Sequence, residues 1–83
     1  MATILFIRGW RLFFYSNENK EPPHIHARKA EVDCKFWLHP AKYDIEEVYS
    51  YNASPSDIRA VRQIIFDHFD YILSEYQKIH GDK

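Results

Sequence analysis

Seven apolar residues near the C-terminus, Ile58, Val61, Ile65, Phe69, Ile72, Tyr76 and Ile79, recur at helical spacing and fall in one stripe. Ser54-Pro55-Ser56-Asp57 ahead of them supplies an N-cap serine, a proline at the first helical position and an acid three residues after the cap. Gly81 behind them is a stop signal. The pattern predicts one helix over about 55–80, roughly 39 Å long at about 1.5 Å per residue. Ile64, Phe66, Tyr71 and Leu73 widen its apolar arc beyond what one sheet face needs, which points to a protein partner or a second copy of the chain on the helix. A helix with an oily stripe requires a surface to cover, and the residues before it are β-formers.

Thr3–Arg8 and Arg11–Tyr15 are rich in β-branched and aromatic residues and predict a hairpin. Gly9-Trp10 as its two turn residues suits a type II′ turn and sets Arg8 opposite Arg11 and Phe6 opposite Phe13. Both faces of this hairpin are apolar away from the turn, so it belongs in the interior of the sheet or against a partner. A second hairpin follows, His24–Arg28 and Glu31–Leu38, around Lys29-Ala30. In it Val32, Cys34, Phe36 and Leu38 alternate with Glu31, Asp33, Lys35 and Trp37. A symmetric turn there pairs Arg28 with Glu31, His26 with Asp33 and His24 with Lys35. His39-Pro40 ends the strand, and Ile45–Tyr51 reads equally as a fifth, edge strand or as a loop. The fold class expected is α+β: a four- to five-stranded antiparallel sheet over about 3–50, with the long helix packed on one face, in a single domain spanning 1–83.

The 46% hydrophobic and 17% aromatic content is enough for one small core, and the lone Cys34 excludes an internal disulfide and fits a reducing compartment. No apolar run is long enough for a membrane span, and the N-terminus has no signal-peptide pattern, so the cytoplasm is expected. The net charge of −1 argues against a strongly basic nucleic-acid binder. Its distribution is uneven, however: residues 1–42 carry seven Lys/Arg and four Asp/Glu (+3), and residues 43–83 carry four and eight (−4). A basic sheet half is compatible with phosphate binding.

Glu21-Pro22-Pro23-His24-Ile25-His26 opens the third strand in extended conformation, because two prolines in succession hold φ near −65°. Strand parity then sets His24, His26 and Arg28 on one face and Ile25 and Ala27 on the other. With Glu31, Asp33, Lys35 and Trp37 beside them, this is the one face where titratable groups concentrate, an open surface or shallow cleft if the helix covers the other. Three readings compete. His24 and His26 can act as general acid and base in metal-independent cleavage of RNA, with Asp33 orienting one imidazole. Arg11, Arg28 and Lys35 would then neutralise phosphate and Trp37 would stack a base. Alternatively the two histidines are metal ligands with Asp33 as a third; no fourth ligand is evident and Lys35 would repel a cation, so no metal or other cofactor is assigned. Or they are structural, in a non-catalytic interaction module. The residues alone leave open whether the chain is an enzyme.

Gly9-x-Arg11-x-Phe-Phe-Tyr-Ser-Asn-Glu18, Glu21-Pro-Pro-His-Ile-His26 and Lys35-Phe-Trp-Leu38 together resemble a family of small bacterial proteins known as domain-of-unknown-function family four-one-six-zero. The resemblance spans about residues 3–80, with Pro-Pro-His-x-His its distinctive part; Ala27-Arg28-Lys29-Ala30 departs from the usual pattern at the turn. It implies a stand-alone cytoplasmic domain encoded beside another small protein, an arrangement proposed to form toxin–antitoxin pairs. That favours action on RNA and a protein partner, and it brings no catalytic residues.

Overall fold

Alternating strands and one capped amphipathic segment build a sheet with a helical layer on one side. The computed structural model describes residues 2–15 and 21–80. Among these residues five strands, β1 (Ala2–Ile7), β2 (Trp10–Phe14), β3 (His24–Lys29), β4 (Val32–His39) and β5 (Asp44–Tyr51), are followed by helices α1 (Pro55–Asp67) and α2 (Phe69–His80). The sheet is antiparallel throughout, in the order β1-β2-β3-β4-β5. Residues 45–51 thus form a strand, and it lies at the edge. The loop expected over 16–20 and the stop at Gly81 fall outside the described residues.

Both hairpins turn one residue away from the expected place. In the first, Ile7 pairs with Trp10 and Phe6 with Arg11, so the turn residues are Arg8-Gly9. Both have positive φ, +53° and +85°, which makes the turn type I′ rather than II′. In the second, Lys29 pairs with Val32 and Arg28 with Asp33, leaving Ala30-Glu31 as the turn, with Ala30 at φ +53°. His26 consequently faces Lys35, not Asp33, and His24 faces Trp37, not Lys35. Both slips move the partner by two residues, so side chains keep their predicted faces except beyond an irregularity in β1, where a register shift between Thr3 and Leu5 sets Thr3 opposite Phe13. The first slip brings Trp10 out of the turn and into β2, where it is buried; Val32 is buried in β4 on the face expected of it.

Trp10, Leu12, Phe14, Ile25, Ala27, Val32, Cys34, Phe36, Leu38 and Ile45 from one sheet face meet Val61, Ile64, Ile65, Phe69, Ile72 and Tyr76 from the helices in a single buried cluster. Ser54 caps α1 with a complete capping box: its Oγ accepts from the Asp57 N–H at 3.1 Å while its own N–H donates to Asp57 Oδ2 at 3.0 Å. The single helix expected over 55–80 is broken at His68 (φ −121°, ψ 26°), whose N–H is shared between the Ile64 and Ile65 carbonyls. Neither proline nor glycine stands there. The apolar stripe continues across the break, and Phe69, Ile72 and Tyr76 of α2 are buried in the same cluster as the α1 residues. The wide apolar arc is largely absorbed by this layer: Ile64 is buried, Phe66 and Leu73 pack at the margin, and the Tyr71 hydroxyl donates to the Ile4 carbonyl of β1 at 2.8 Å. Among the described residues no helix is long and apolar enough to cross a membrane.

Cys34 lies fully buried in the core. Burial, and then the carboxylates of Glu47, Asp33 and Asp57, push its thiol from 9.0 up to about 11. At pH 8 the native thiol should therefore react with iodoacetamide about a hundredfold more slowly than the unfolded chain's, since the thiolate fraction differs by about two decades. Because the folded-state value is the raised one, this group's contribution to stability is complete below pH 9 and is lost as the pH climbs towards 11. A native alkylation rate equal to that of the urea-unfolded chain would contradict this.

Candidate functional site

The sheet face opposite the helices gathers the residues singled out above, in two adjoining groups. Pro22-Pro23 delivers the chain into β3 extended, and the Pro23 carbonyl accepts from the Leu38 N–H at 2.8 Å, prolonging the β3–β4 ladder. His24 then sits opposite Trp37, His26 between Phe13 and Lys35, and Arg28 between Arg11 and Asp33.

The first group is an aromatic and imidazole layer. The His26 ring is stacked on Phe13, with centroids 5.3 Å apart and planes at 18°, and meets Tyr15 edge-on at 4.8 Å. The His24 ring stands perpendicular to that of His26 at 5.2 Å and also contacts Trp37 at 6.0 Å and Phe14 at 6.5 Å. At the end of the sheet it reaches Tyr76 of α2 at 5.8 Å. His24 Nδ1 is 3.0 Å from the Pro22 carbonyl, a bond that requires the proton on Nδ1. His24 is 0% and His26 3% exposed, so neither ring lines the open surface that parity alone suggested. Large neighbours on both sides close over them.

Lys35 is the buried cation of this group. Its Nζ donates to Glu21 Oε1 at 2.6 Å and lies 4.7 Å from the centroid of the Trp37 ring. Glu21 Oε1 also lies 3.8 Å from His24 Nδ1, and the Glu21 carbonyl accepts from the Tyr76 hydroxyl at 3.1 Å. The carboxylate beside the histidines is thus Glu21, which sequence reasoning passed over; Asp33 sits at the other end of the face, opposite Arg28.

The second group is cationic. Arg11 and Arg28 are direct cross-strand partners, and with Phe6, Gly9, Lys29 and Ala30 they line an open cavity of about 310 Å³ between the two hairpin turns. Of the expected binding residues, then, Arg11 and Arg28 come together, Trp37 and Lys35 adjoin the histidines instead, and the two groups are one strand step of about 6.6 Å apart along β3. Phe13 and Tyr15 were missed, although they share parity with Arg11 on β2 and could have been placed from it. Among the described residues no three His, Cys, Asp or Glu side chains converge as metal ligands would.

A family model described as a domain of unknown function, DUF4160, matches residues 9–77. No curated protein and no solved structure matches the chain.

Proposed function

From a chain that belongs to the DUF4160 family, and from a sheet face on which aromatic rings and cations alternate, we propose an RNA-binding component of toxin–antitoxin type. The observation that carries the RNA part is the continuity of that face. Tyr15 and Trp37 offer exposed or half-exposed ring surface at one end, and Arg11 and Arg28 offer positive charge four residues further along β2 and β3, about 13 Å away. Stacking surface beside backbone-neutralising charge is what single-stranded nucleic acid requires. The toxin–antitoxin part rests on the gene pairing implied by the family resemblance. Binding, not cleavage, is the activity this geometry favours: a general acid must reach the substrate, and the shielded ring of His24 does not.

The test is fluorescence anisotropy of a labelled single-stranded RNA at low salt with a chelator present, repeated with Tyr15→Ala and Trp37→Ala. Each substitution should weaken binding by about 1–3 kcal/mol, the worth of one stacked base. Absence of binding by the native domain, or full affinity in both variants, would overturn the assignment.

A further inference from the structure

β1 closes one side of the sheet, and among the described residues no strand lies beyond it. Both faces of the first hairpin are apolar, a pattern suited to a sheet interior or to contact with a partner, yet the fold leaves β1 at the edge. Ala2–Ile7 carries no charged side chain. Edge strands are ordinarily blunted by charge or proline, because their unpaired N–H and C=O groups recruit another strand. The opposite edge follows that rule. β5 carries Asp44, Glu46 and Glu47, all exposed, and its Ile45 N–H already donates to Asp44 Oδ1 at 2.8 Å.

Backbone geometry defines which part of β1 is open. The two-residue turn at Arg8-Gly9 closes on Ile7 and Trp10, the pair that exchanges both ladder bonds. Such pairs alternate along an antiparallel ladder, so the Phe6 N–H and C=O point away from β2. Beyond Leu5, where the register shifts, the Ile4 carbonyl accepts from the Tyr71 hydroxyl at 2.8 Å, which ends the open stretch. Its side chains are apolar on both sheet faces: Phe6 is 71% exposed on the open face, and Leu5 and Ile7 are half-buried against the helix-side core.

We propose that β1 is a self-association edge, on which two copies of the chain pair antiparallel about a two-fold axis at Phe6. Phe6 then faces Phe6 of the second copy as an aromatic cross-strand pair that exchanges both backbone hydrogen bonds, and Leu5 faces Ile7 on the helix side. The two five-stranded sheets become one of ten strands, with both open faces on the same side. Charge selects an identical copy as the occupant. Leu5–Ile7 against itself opposes no charged residues, whereas β5 against β5 lines two sets of Asp44, Glu46 and Glu47 along one seam. β1 against β5 leaves a free edge of each kind and grows without closing. So short a ladder gives a weak dimer, with a dissociation constant on the order of 10–100 μM, and dilute protein is monomeric. Self-association of this kind is independent of RNA binding.

Sedimentation velocity from about 5 to 500 μM should show the native chain passing from monomer to dimer and no further. Phe6→Lys and Phe6→Glu each set like charges opposite one another at the axis and should weaken dimerisation by about tenfold or more. Phe6 is exposed, so neither change disturbs the core. An equimolar mixture of the two variants pairs opposite charges and should regain association. In native protein mixed from ¹³C-labelled and unlabelled chains, intermolecular NOEs should join Leu5 to Ile7. A native chain that stays monomeric at about 500 μM, or that keeps growing into larger species, overturns the edge dimer. So does a dimer that both variants leave intact, a mixture that stays monomeric, or a set of intermolecular NOEs confined to the helices.

Discussion

Phe36→Ala should cost about 3–5 kcal/mol of unfolding free energy. Phe36 is fully buried at the centre of β4, flanked in the ladder by Ile25 and Glu47, and belongs to the cluster that joins sheet to helices. Its truncation removes the transfer free energy of a phenyl ring and leaves a cavity that a five-stranded sheet, tied by ladders on both sides of β4, cannot collapse to fill. A small domain has roughly 5–15 kcal/mol in hand, so the midpoint should fall by on the order of 15–30 °C at ~4–8 °C per kcal/mol. Phe6→Ala is the matched control, expected within about 0.5 kcal/mol of the native protein because its ring is largely in water. Thermal and urea unfolding of both variants check this; a loss under about 1 kcal/mol for Phe36→Ala would show that the core is not packed as described.

His24→Ala should also be severe, at roughly 2–4 kcal/mol, on the scale of other large-to-small substitutions in packed sites. The ring has no solvent contact, touches Phe14, His26, Trp37 and Tyr76, and binds the Pro22 carbonyl through Nδ1. It therefore stitches the proline corner to β4 and α2. RNA affinity, measured well below the midpoint, should stay within about a factor of three, or under ~1 kcal/mol. His24→Gln, which keeps a donor for the carbonyl, should recover part of the stability. Stability left near native with RNA affinity lost would mean that His24 meets the ligand after all, through a rearrangement that opens the layer.

The pairing of Pro22-Pro23 with His24 shows how far local rules reach. Extended entry, side-chain parity, the capping box at Ser54 and the split of Ile25 and Ala27 from His24 and His26 all follow from backbone sterics and a repeat of two or 3.6 residues, and each is as expected. Strand order follows the chain order, as is usual for consecutive antiparallel strands. Burial of the histidines was not legible, because it depends on which rings arrive from β2 and α2: Phe13 and Tyr15 come from one side and Tyr76 from another. The Lys35–Glu21 contact joins residues fourteen apart and depends on the same assembly.

What the amino-acid sequence determined alone was periodicity: which residues face oil, which face the polar side, and where the terminal helical segment begins. Only the tertiary structure decided register, the break at His68 and the meeting of Arg11 with Arg28. A two-residue slip leaves every face unchanged, so local patterning cannot tell one register from the next, and in the first hairpin the observed register is the one that buries Trp10. The helix likewise carries no proline or glycine at His68, so nothing in the local pattern marks the interruption there.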